Sequence, residues 1–272
     1  MRRILVTGAN KGIGLAIAKA ILEEHADTFV YLGSRDPERG RAAAASLEKP
    51  GRVEPLELDV GAAGSVTAAP ARLAGARLYG VVNNAGIGSS AGDLAAVLAV
   101  NAFGVQRVCE AFLPSIDRGG RVVNVTSASG PMFMSSCSPE VKAVLLDDTL
   151  TWPRLRAFME EQIARGADVE SYGFSKACAN AYTALLAREH PELRINACTP
   201  GYIETDMTRP HAAGSGKSAA ELGMKPPSAG ARAPMFLLFG EPEGNGYFYG
   251  SDAQRSPLDR YRAPGSPPFT GA

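Results

Sequence analysis

The sequence predicts an α/β fold with a doubly wound parallel sheet flanked by helices, and three observations carry that reading. Short β-branched or apolar runs recur, at Ile4 to Val6, Phe29 to Leu32, Val53 to Leu58, Leu78 to Val82, Val122 to Val125 and Ile195 to Cys198. Most are separated by segments of helical length, the alternation expected of a parallel sheet covered on both faces. A glycine-rich turn, TGANKGIG at 7 to 14, joins the first run to the first helical segment.

The first helix is the clearest, because Ile13, Ile17 and Ile21 recur every four residues. Residues 61 to 76 are rich in Ala and Gly with Pro70 among them, which predicts a broken or short helix. Further on, SYGFSKACANAY at 171 to 182 is a run of small and apolar residues that reads as helical, with Tyr172 and Lys176 four apart on one face. Before it, Val141, Val144 and Leu145, then Leu155, Phe158, Met159 and Ile163, stand at helical spacing and predict two helices within about 131 to 170. Residues 1 to 250 read as one domain, and the Pro-rich, polar stretch from 251 to 272 as an irregular or disordered tail.

Composition narrows the function. With 272 residues, 45% of them hydrophobic, the chain can bury a sizeable core. Lys and Arg number 28, as do Asp and Glu, so no electrostatic excess points to nucleic acid or an anionic membrane. Cys109, Cys137, Cys178 and Cys198 are scattered without a C-x-x-C pair, so neither a disulfide framework nor a metal site is expected. The apolar run after Arg3 ends at Thr7, too short for a signal peptide. No uncharged apolar run reaches the ~18 residues of a membrane helix. A soluble, cytoplasmic protein is the expectation.

Gly8, Gly12 and Gly14 are spaced G-x-x-x-G-x-G. Glycines there permit a tight turn and close backbone approach, while the following helix start offers unpaired N–H groups to a pyrophosphate. After the second strand, Arg35 occupies the place where an acid would bind the ribose 2′-hydroxyl of NAD. A cation there favours a 2′-phosphate, hence NADP, and Lys11 in the glycine turn is expected to converge on the same spot. Asp59, at the end of the third strand, is placed to accept from an adenine amino group.

With Asn83-Asn84-Ala85-Gly86 closing the fourth strand, the sequence resembles the short-chain dehydrogenase/reductase family up to about Gly250. The motifs in order are TGANKGIG, Asp59-Val60, NNAG, Asn101, Ser127 in VNVTSASG, Tyr172-x-x-x-Lys176 and TPGYIETDM at 199 to 207. A lone Y-x-x-x-K would be a weak signal, but the ordered set on matching elements is specific. The resemblance implies a Rossmann-type fold, nicotinamide-dependent oxidoreduction and a tetrad of Asn101, Ser127, Tyr172 and Lys176. It also implies cofactor contacts at Gly8, Asn10, Lys11, Gly12, Ile13, Gly14, Arg35, Asp59, Val60, Asn83, Ala85, Gly86, Tyr172, Lys176, Pro200, Gly201, Ile203 and Thr205, with Thr205 on the nicotinamide carboxamide.

The chemistry is consistent with those residue types. Hydride addition to a carbonyl carbon develops negative charge on oxygen, which a placed donor must meet. A free tyrosine, with a pKa of ~10, is a reluctant acid. Lys176 and the positive charge of an oxidised nicotinamide are expected to favour the phenolate and bring that value toward the working range. Ser127 can hold the substrate oxygen. By the resemblance, Asn101 supports Lys176 through a water in a proton relay.

Tyr172 follows Ser127 by 45 positions, a far longer connection than most members of the family have. This insertion, with SCSPE at 136 to 140, is similar to that of the monomeric NADPH-dependent carbonyl reductases, whose inserted helices cover the surface other members use to oligomerise. A monomer acting on a small carbonyl substrate is therefore expected. Thr126 and Thr199 depart from the pattern, where Ser and Cys are usual. The second departure puts thiol-dependent behaviour in doubt, including any glutathione-linked substrate site. Substrate contacts are expected from the insertion, from Ser89 to Asp93 and from about 201 to 225, with Met132, Phe133, Met134, Trp152 and Met207 as apolar candidates. Reduction of aldehydes, ketones and quinones with Tyr172 as proton donor is the leading expectation. The alternatives are a ketoreductase or alcohol dehydrogenase of one pathway, and a non-catalytic NADP-binding sensor or scaffold.

Overall fold

The computed structural model describes residues 1–271. Its first half alternates strictly: β1 (Arg2–Val6), α1 (Gly12–Glu24), β2 (Thr28–Ser34), α2 (Pro37–Ser46), β3 (Val53–Glu57), α3 (Ala63–Ala68), β4 (Leu78–Asn83). Then come α4 (Leu94–Asn101), α5 (Phe103–Phe112), β5 (Ile116–Val125), α6 (Ser129–Ser136), α7 (Pro139–Leu145), α8 (Trp152–Ala164) and α9 (Ser171–Glu189). The chain finishes with β6 (Arg194–Cys198), α10 (Arg209–Ser215), α11 (Arg232–Phe239), β7 (Phe248–Tyr249) and β8 (Arg255–Ser256). The eight strands run β3-β2-β1-β4-β5-β6-β7-β8, all parallel except the antiparallel β7–β8 pair. The order reverses beside β1, so the carboxyl ends of β1 and β4 flank the crevice where a doubly wound sheet receives ligands.

Side-chain alternation along each strand feeds two cores. Ile4, Val6, Val30, Leu32, Val82 and Val123 pack with Ile17 and Ile21 of α1 and with α11 on one face. Leu5, Leu56, Val81, Val122 and Ile195 pack with α5, α8 and α9 on the other. Both faces being covered, the buried parts of the central strands read as near-continuous apolar runs, whereas the edge strand β3, VEPLE, alternates. The helix read at 61 to 76 is indeed broken: α3 gives way to a 3₁₀ turn, Ala69–Leu73, at Pro70. The stretch Leu94–Ser115 is apolar and long enough by composition to cross a membrane. Half of it is buried within the domain, and the irregular backbone of Ala102 interrupts it.

The insertion holds the two helices expected, α7 and α8, preceded by a third, α6. Leu155 and Met159 of α8 are fully buried, and Phe158 meets Phe174 of α9 edge-on at 5.9 Å. Three predicted pocket residues turn out to be packing. Met134 is buried, Phe133 lies against Phe174 at 5.5 Å, and Trp152 is wedged between Tyr182 at 5.4 Å and Phe103 at 6.0 Å. Helical periodicity explains this outcome, because it reports which side faces a neighbour and not whether that neighbour is protein or substrate.

The tail is irregular and tied down. Arg262, almost wholly buried, pairs with Asp252 at 2.7 Å and donates to the Ser266 and Pro267 carbonyls. Burial of an ion pair with its remaining donors satisfied offsets the desolvation of both charges. The same corner reaches the chemistry, because Ser251 lies so close to Gly201 that a Cβ there would come within 3.0 Å of it.

Candidate active site

The motifs singled out in the sequence fall at the carboxyl ends of the parallel strands or on the helices that follow: Arg35 after β2, Asp59-Val60 after β3, and the others after β1, β4, β5 and β6. After β1, Gly8 and Gly12 take left-handed backbone with φ of +62° and +56°, open to glycine at little cost. Gly14 admits no side chain: a Cβ would lie 2.4 Å from the Gly8 carbonyl oxygen and 2.5 Å from Asn84 Nδ2. Asn84 in turn donates to the Thr7 and Gly8 carbonyls at 3.0 and 3.2 Å, locking the turn to the end of β4. Thr7 Oγ1 accepts from the Asn84 and Ala85 N–H groups, both at 3.0 Å. Sequence reading passed over Thr7 and Asn84, although a polar pair beside a glycine turn is the signal that finds them.

The cofactor residues are not used alike. Lys11, at the N-cap of α1, makes no side-chain cap, leaving the first-turn N–H groups of α1 free for an anion. Its ammonium is instead held by Asp206 at 2.6 Å, and Asp206 also takes Arg209 at 2.6 Å. In this arrangement the ammonium is drawn across the turn toward the segment after β6. Arg35 is exposed, and among the described residues it has no ion-pair partner. Asp59 Oδ1 accepts from the Gly61 N–H at 2.9 Å, and Val60 is buried. Asn10, Ala85 and Pro200 are half-buried beside the turn and strand ends. Ile13 packs toward Gly230, as does buried Ile203. Thr205 lies over the turn, its Cγ2 3.5 Å from where a Gly12 Cβ would stand, and donates its backbone N–H to Thr208 Oγ1 at 2.9 Å.

The Asn83 side chain is engaged within the fold. Its amide points into the core, donating to Asn124 Oδ1 at 2.9 Å and to Cys109 Sγ at 3.3 Å. Asn124 passes the chain on to Thr183 Oγ1 at 2.8 Å. These bonds tie β4 and β5 to α5 and α9 in a buried polar network, satisfied and hence rigid.

The tetrad gathers around the start of α9. Lys176 is buried, with 4% of its surface exposed. Its Nζ donates to the Val125 carbonyl at 3.3 Å and lies 5.5 Å from the Tyr172 ring centroid. An ammonium has three donors, so donors remain for a ligand. Gly86 keeps that approach open, since a Cβ there would stand 3.4 Å from Nζ and 3.2 Å from Asn101 Oδ1. Asn101, fully buried at the end of α4, accepts from the Ile87 N–H at 2.9 Å. It donates to the Ile87 carbonyl at 2.9 Å and to Ser175 Oγ at 3.0 Å, so its direct contacts are with the strand-end loop and α9. Ser127 Oγ accepts from the Ser129 N–H at 3.1 Å and donates to Ser129 Oγ at 3.2 Å, and its hydroxyl is near enough to the Tyr172 phenol to favour the phenolate.

Burial decides both ionisations. It lowers Lys176 from 10.5 to about 8, against a smaller upward pull from Cys198. It raises the Tyr172 phenol, helped by nearby Glu170 and opposed by the Ser127 hydroxyl. No downward pull of Lys176 on Tyr172 emerges, and removing a phenolate from water costs more than the Ser127 hydroxyl returns. Glu170, missed in the sequence, caps α9 through the Tyr172 and Gly173 N–H groups; an acid just before a helix start was its signal. Of the exposed apolar candidates, Met132 and Met207 remain, and Met207 Cγ lies 3.3 Å from where a Gly88 Cβ would be.

A free helix start, left-handed glycines and a buried ammonium with spare donors fit a dinucleotide. Concavities of about 280 Å³ beside α2 and β3 and about 500 Å³ between α1 and α11 contain no tetrad residue.

Known proteins agree with this architecture. The family model for short chain dehydrogenases matches residues 2–139. Mouse carbonyl reductase [NADPH] 1 is 32% identical over 269 residues, covering 89% of this chain and 92% of the relative. Rat carbonyl reductase [NADPH] 3 is 33% identical over the same shares of the two chains. Among solved structures, salutaridine reductase from Papaver somniferum superposes with a TM-score of 0.75 at 24% identity, covering 92% of this chain and 99% of that one. Menthone neomenthol reductase from Mentha piperita gives 0.73 at 25%, covering 92% and 98%. The chain belongs to the short-chain dehydrogenase/reductase family of oxidoreductases. Within it, the chain is similar to the carbonyl reductases.

Proposed function

We propose that the protein is an NADPH-dependent reductase of small carbonyl compounds, aldehydes, ketones or quinones, with Tyr172 as proton donor. The observation that carries this reading is the meeting of Ser127, Tyr172 and Lys176 at the end of β5, with the Ser127 hydroxyl acting on the phenol and the ammonium buried beside its ring. Gly8, Gly12 and Gly14, with the free N–H groups of α1, would hold the pyrophosphate, Arg35 a 2′-phosphate and Lys176 the nicotinamide ribose hydroxyls. NADPH, when bound, supplies the hydride. Ser127 orients the substrate oxygen, and Tyr172 delivers its proton to that oxygen as negative charge develops. The raised phenol supports this direction of proton transfer, since the group carries its proton at neutral pH.

The test is NADPH consumption across unrelated aldehydes, ketones and quinones, comparing wild type with Tyr172→Phe. We expect turnover of several of them and a loss of roughly 10²–10⁴-fold in kcat in the variant, the usual contribution of a placed acid. Equal rates in the two proteins would remove Tyr172 from the mechanism, one strongly preferred carbonyl would indicate a pathway enzyme, and no turnover would favour a sensor or scaffold.

A further inference from the structure

The cap of α9 is a carboxylate bound directly to the backbone of the acid. Glu170 Oε1 accepts from the Tyr172 N–H at 3.1 Å, and Oε2 from the Gly173 N–H at 2.6 Å. Gly173 is confined on its other side too: a Cβ there would lie 2.5 Å from Glu170 Oε2, 2.8 Å from the Ser129 carbonyl oxygen and 3.0 Å from Phe133 Cβ. The Tyr172-Gly173 backbone is thus pinched between Glu170 and the segment whose Ser129 N–H fixes Ser127 Oγ. Moving it would break the charge-assisted hydrogen bonds to Glu170, and a side chain at Gly173 would not fit beside the Ser129 carbonyl.

We propose that Glu170 is a positioning residue for the reduction, holding Tyr172 against the Ser127 segment while its charge favours the proton-bearing phenol. This rests on the reading of Tyr172 as proton donor. The negative charge of a carboxylate at the helix start opposes a phenolate two residues on. Few other charges face that phenol. On its own helix there is Lys176, 5.5 Å from the ring centroid. The elements α4 and α6 carry no ionisable side chain, and β6 brings Cys198, whose thiol burial pushes up. The charges of β5, Asp117, Arg118 and Arg121, lie at its opposite end. On α7, Glu140 is exposed and Lys142 is bonded to the Ser135 carbonyl. On α8, Arg154 pairs with Asp147, Arg156 with Glu160, and Glu161 with Arg165. Burial and Glu170 raise the phenol, while Ser127 lowers it.

Reduction breaks the phenol O–H bond as the proton passes to the substrate oxygen, whereas alcohol oxidation needs the phenolate. Glu170 leaves the overall equilibrium unchanged and sets the pH above which the proton-bearing form, and with it reduction, is lost. The experiment compares wild type, Glu170→Ser and Glu170→Asp in the pH dependence of kcat with NADPH and a carbonyl. In parallel, the phenol is titrated without cofactor by ring-carbon NMR of isotope-labelled tyrosine, with Tyr172→Phe assigning the signal. Ser keeps an acceptor for the cap and drops the charge, whereas Asp keeps both. In Glu170→Ser the alkaline limb and the NMR midpoint should move to lower pH, and in Glu170→Asp they should stay near wild type. The wild-type to Glu170→Ser gap should narrow at high salt, because the carboxylate is exposed. If Glu170→Ser does not fold, Glu170→Gln takes its place with the same expectation. An unmoved limb and midpoint in the neutral variant, with only a lower melting temperature, would overturn the proposal. If Tyr172→Phe is inactive and the limb does not move, this inference alone fails; if Tyr172→Phe is fully active, the functional reading fails first.

Discussion

The first turn of α1 and the first two turns of α9 both open toward the carboxyl edge of the sheet, and they are made of different material. Around α1 the ligand groups are backbone N–H donors and exposed cations, with Lys11 more than half exposed and Arg35 exposed. Around α9 they are side chains sunk into the domain, with Asn101 at 0% and Lys176 at 4% exposure. Charge in the first region is screened by water and salt. In the second it acts in a low dielectric and costs folding energy. The difference separates two kinds of behaviour. Changes near α1 should alter cofactor affinity and salt dependence with little effect on stability, and changes near α9 should move turnover and stability together.

Lys176→Met gives the largest separation. Its loss should lower kcat by roughly 10²–10⁴-fold, the scale of proton-transfer support, while the protein becomes more stable by on the order of 1–4 kcal/mol, as when a buried charge is replaced by an apolar side chain of similar volume. The pH dependence follows from the sign. Burial depresses the folded-state value to about 8 from 10.5, so the unfolded chain holds the proton more tightly. The penalty is complete below pH 8, declines between 8 and 10.5, and is gone above. Thermal unfolding of the two proteins should therefore differ most below pH 8 and converge toward 10.5. A variant that is both inactive and less stable at neutral pH would show that the Val125 carbonyl bond outweighs the buried charge.

Arg35→Asp tests the opposite region. Removing one charge-assisted contact to a 2′-phosphate should weaken NADPH by about 10- to 150-fold, NADH far less, and leave the melting temperature nearly unchanged. Fluorescence titration with both cofactors decides it, and equal weakening of the two would disprove the 2′-phosphate assignment.

The same contrast explains what could be read from the chain. The central strands were legible because burial on both faces leaves near-continuous apolar runs, and the glycine turn because left-handed backbone and close approach call for glycine. In contrast, β7 and β8 are two residues each, too short for any pattern. Because 14 of the 19 residues of α9 are buried, no amphipathic stripe marks it, and it was found through its chemistry. The direction of the Asn83 side chain was legible from strand parity: it lies two residues beyond Val81, on the face that packs against α5 and α9. Trp152 and Phe133 could not be sorted into pocket or core, since their partners Tyr182 and Phe174 come from a distant part of the chain. The pairing of Lys11 with Asp206 was hidden for the same reason, as the two lie 195 positions apart.

That pair supplies the smallest effect, and a sensitive one. Asp206 holds Lys11 at 2.6 Å, and the two side chains are 54% and 57% exposed. The ion pair with Lys11 is the leading reason the Asp206 carboxyl titrates below its ordinary value. Solvent screening makes such a pair nearly neutral for folding, so Asp206→Asn should leave the melting temperature unchanged. It should release the ammonium toward the phosphates and tighten NADPH by about two- to fivefold, the scale of an exposed ion pair, with a steeper loss of affinity as salt rises. Weaker NADPH binding in Asp206→Asn would reverse the interpretation, making the Lys11–Asp206 contact a strap that holds Thr205 over Gly12.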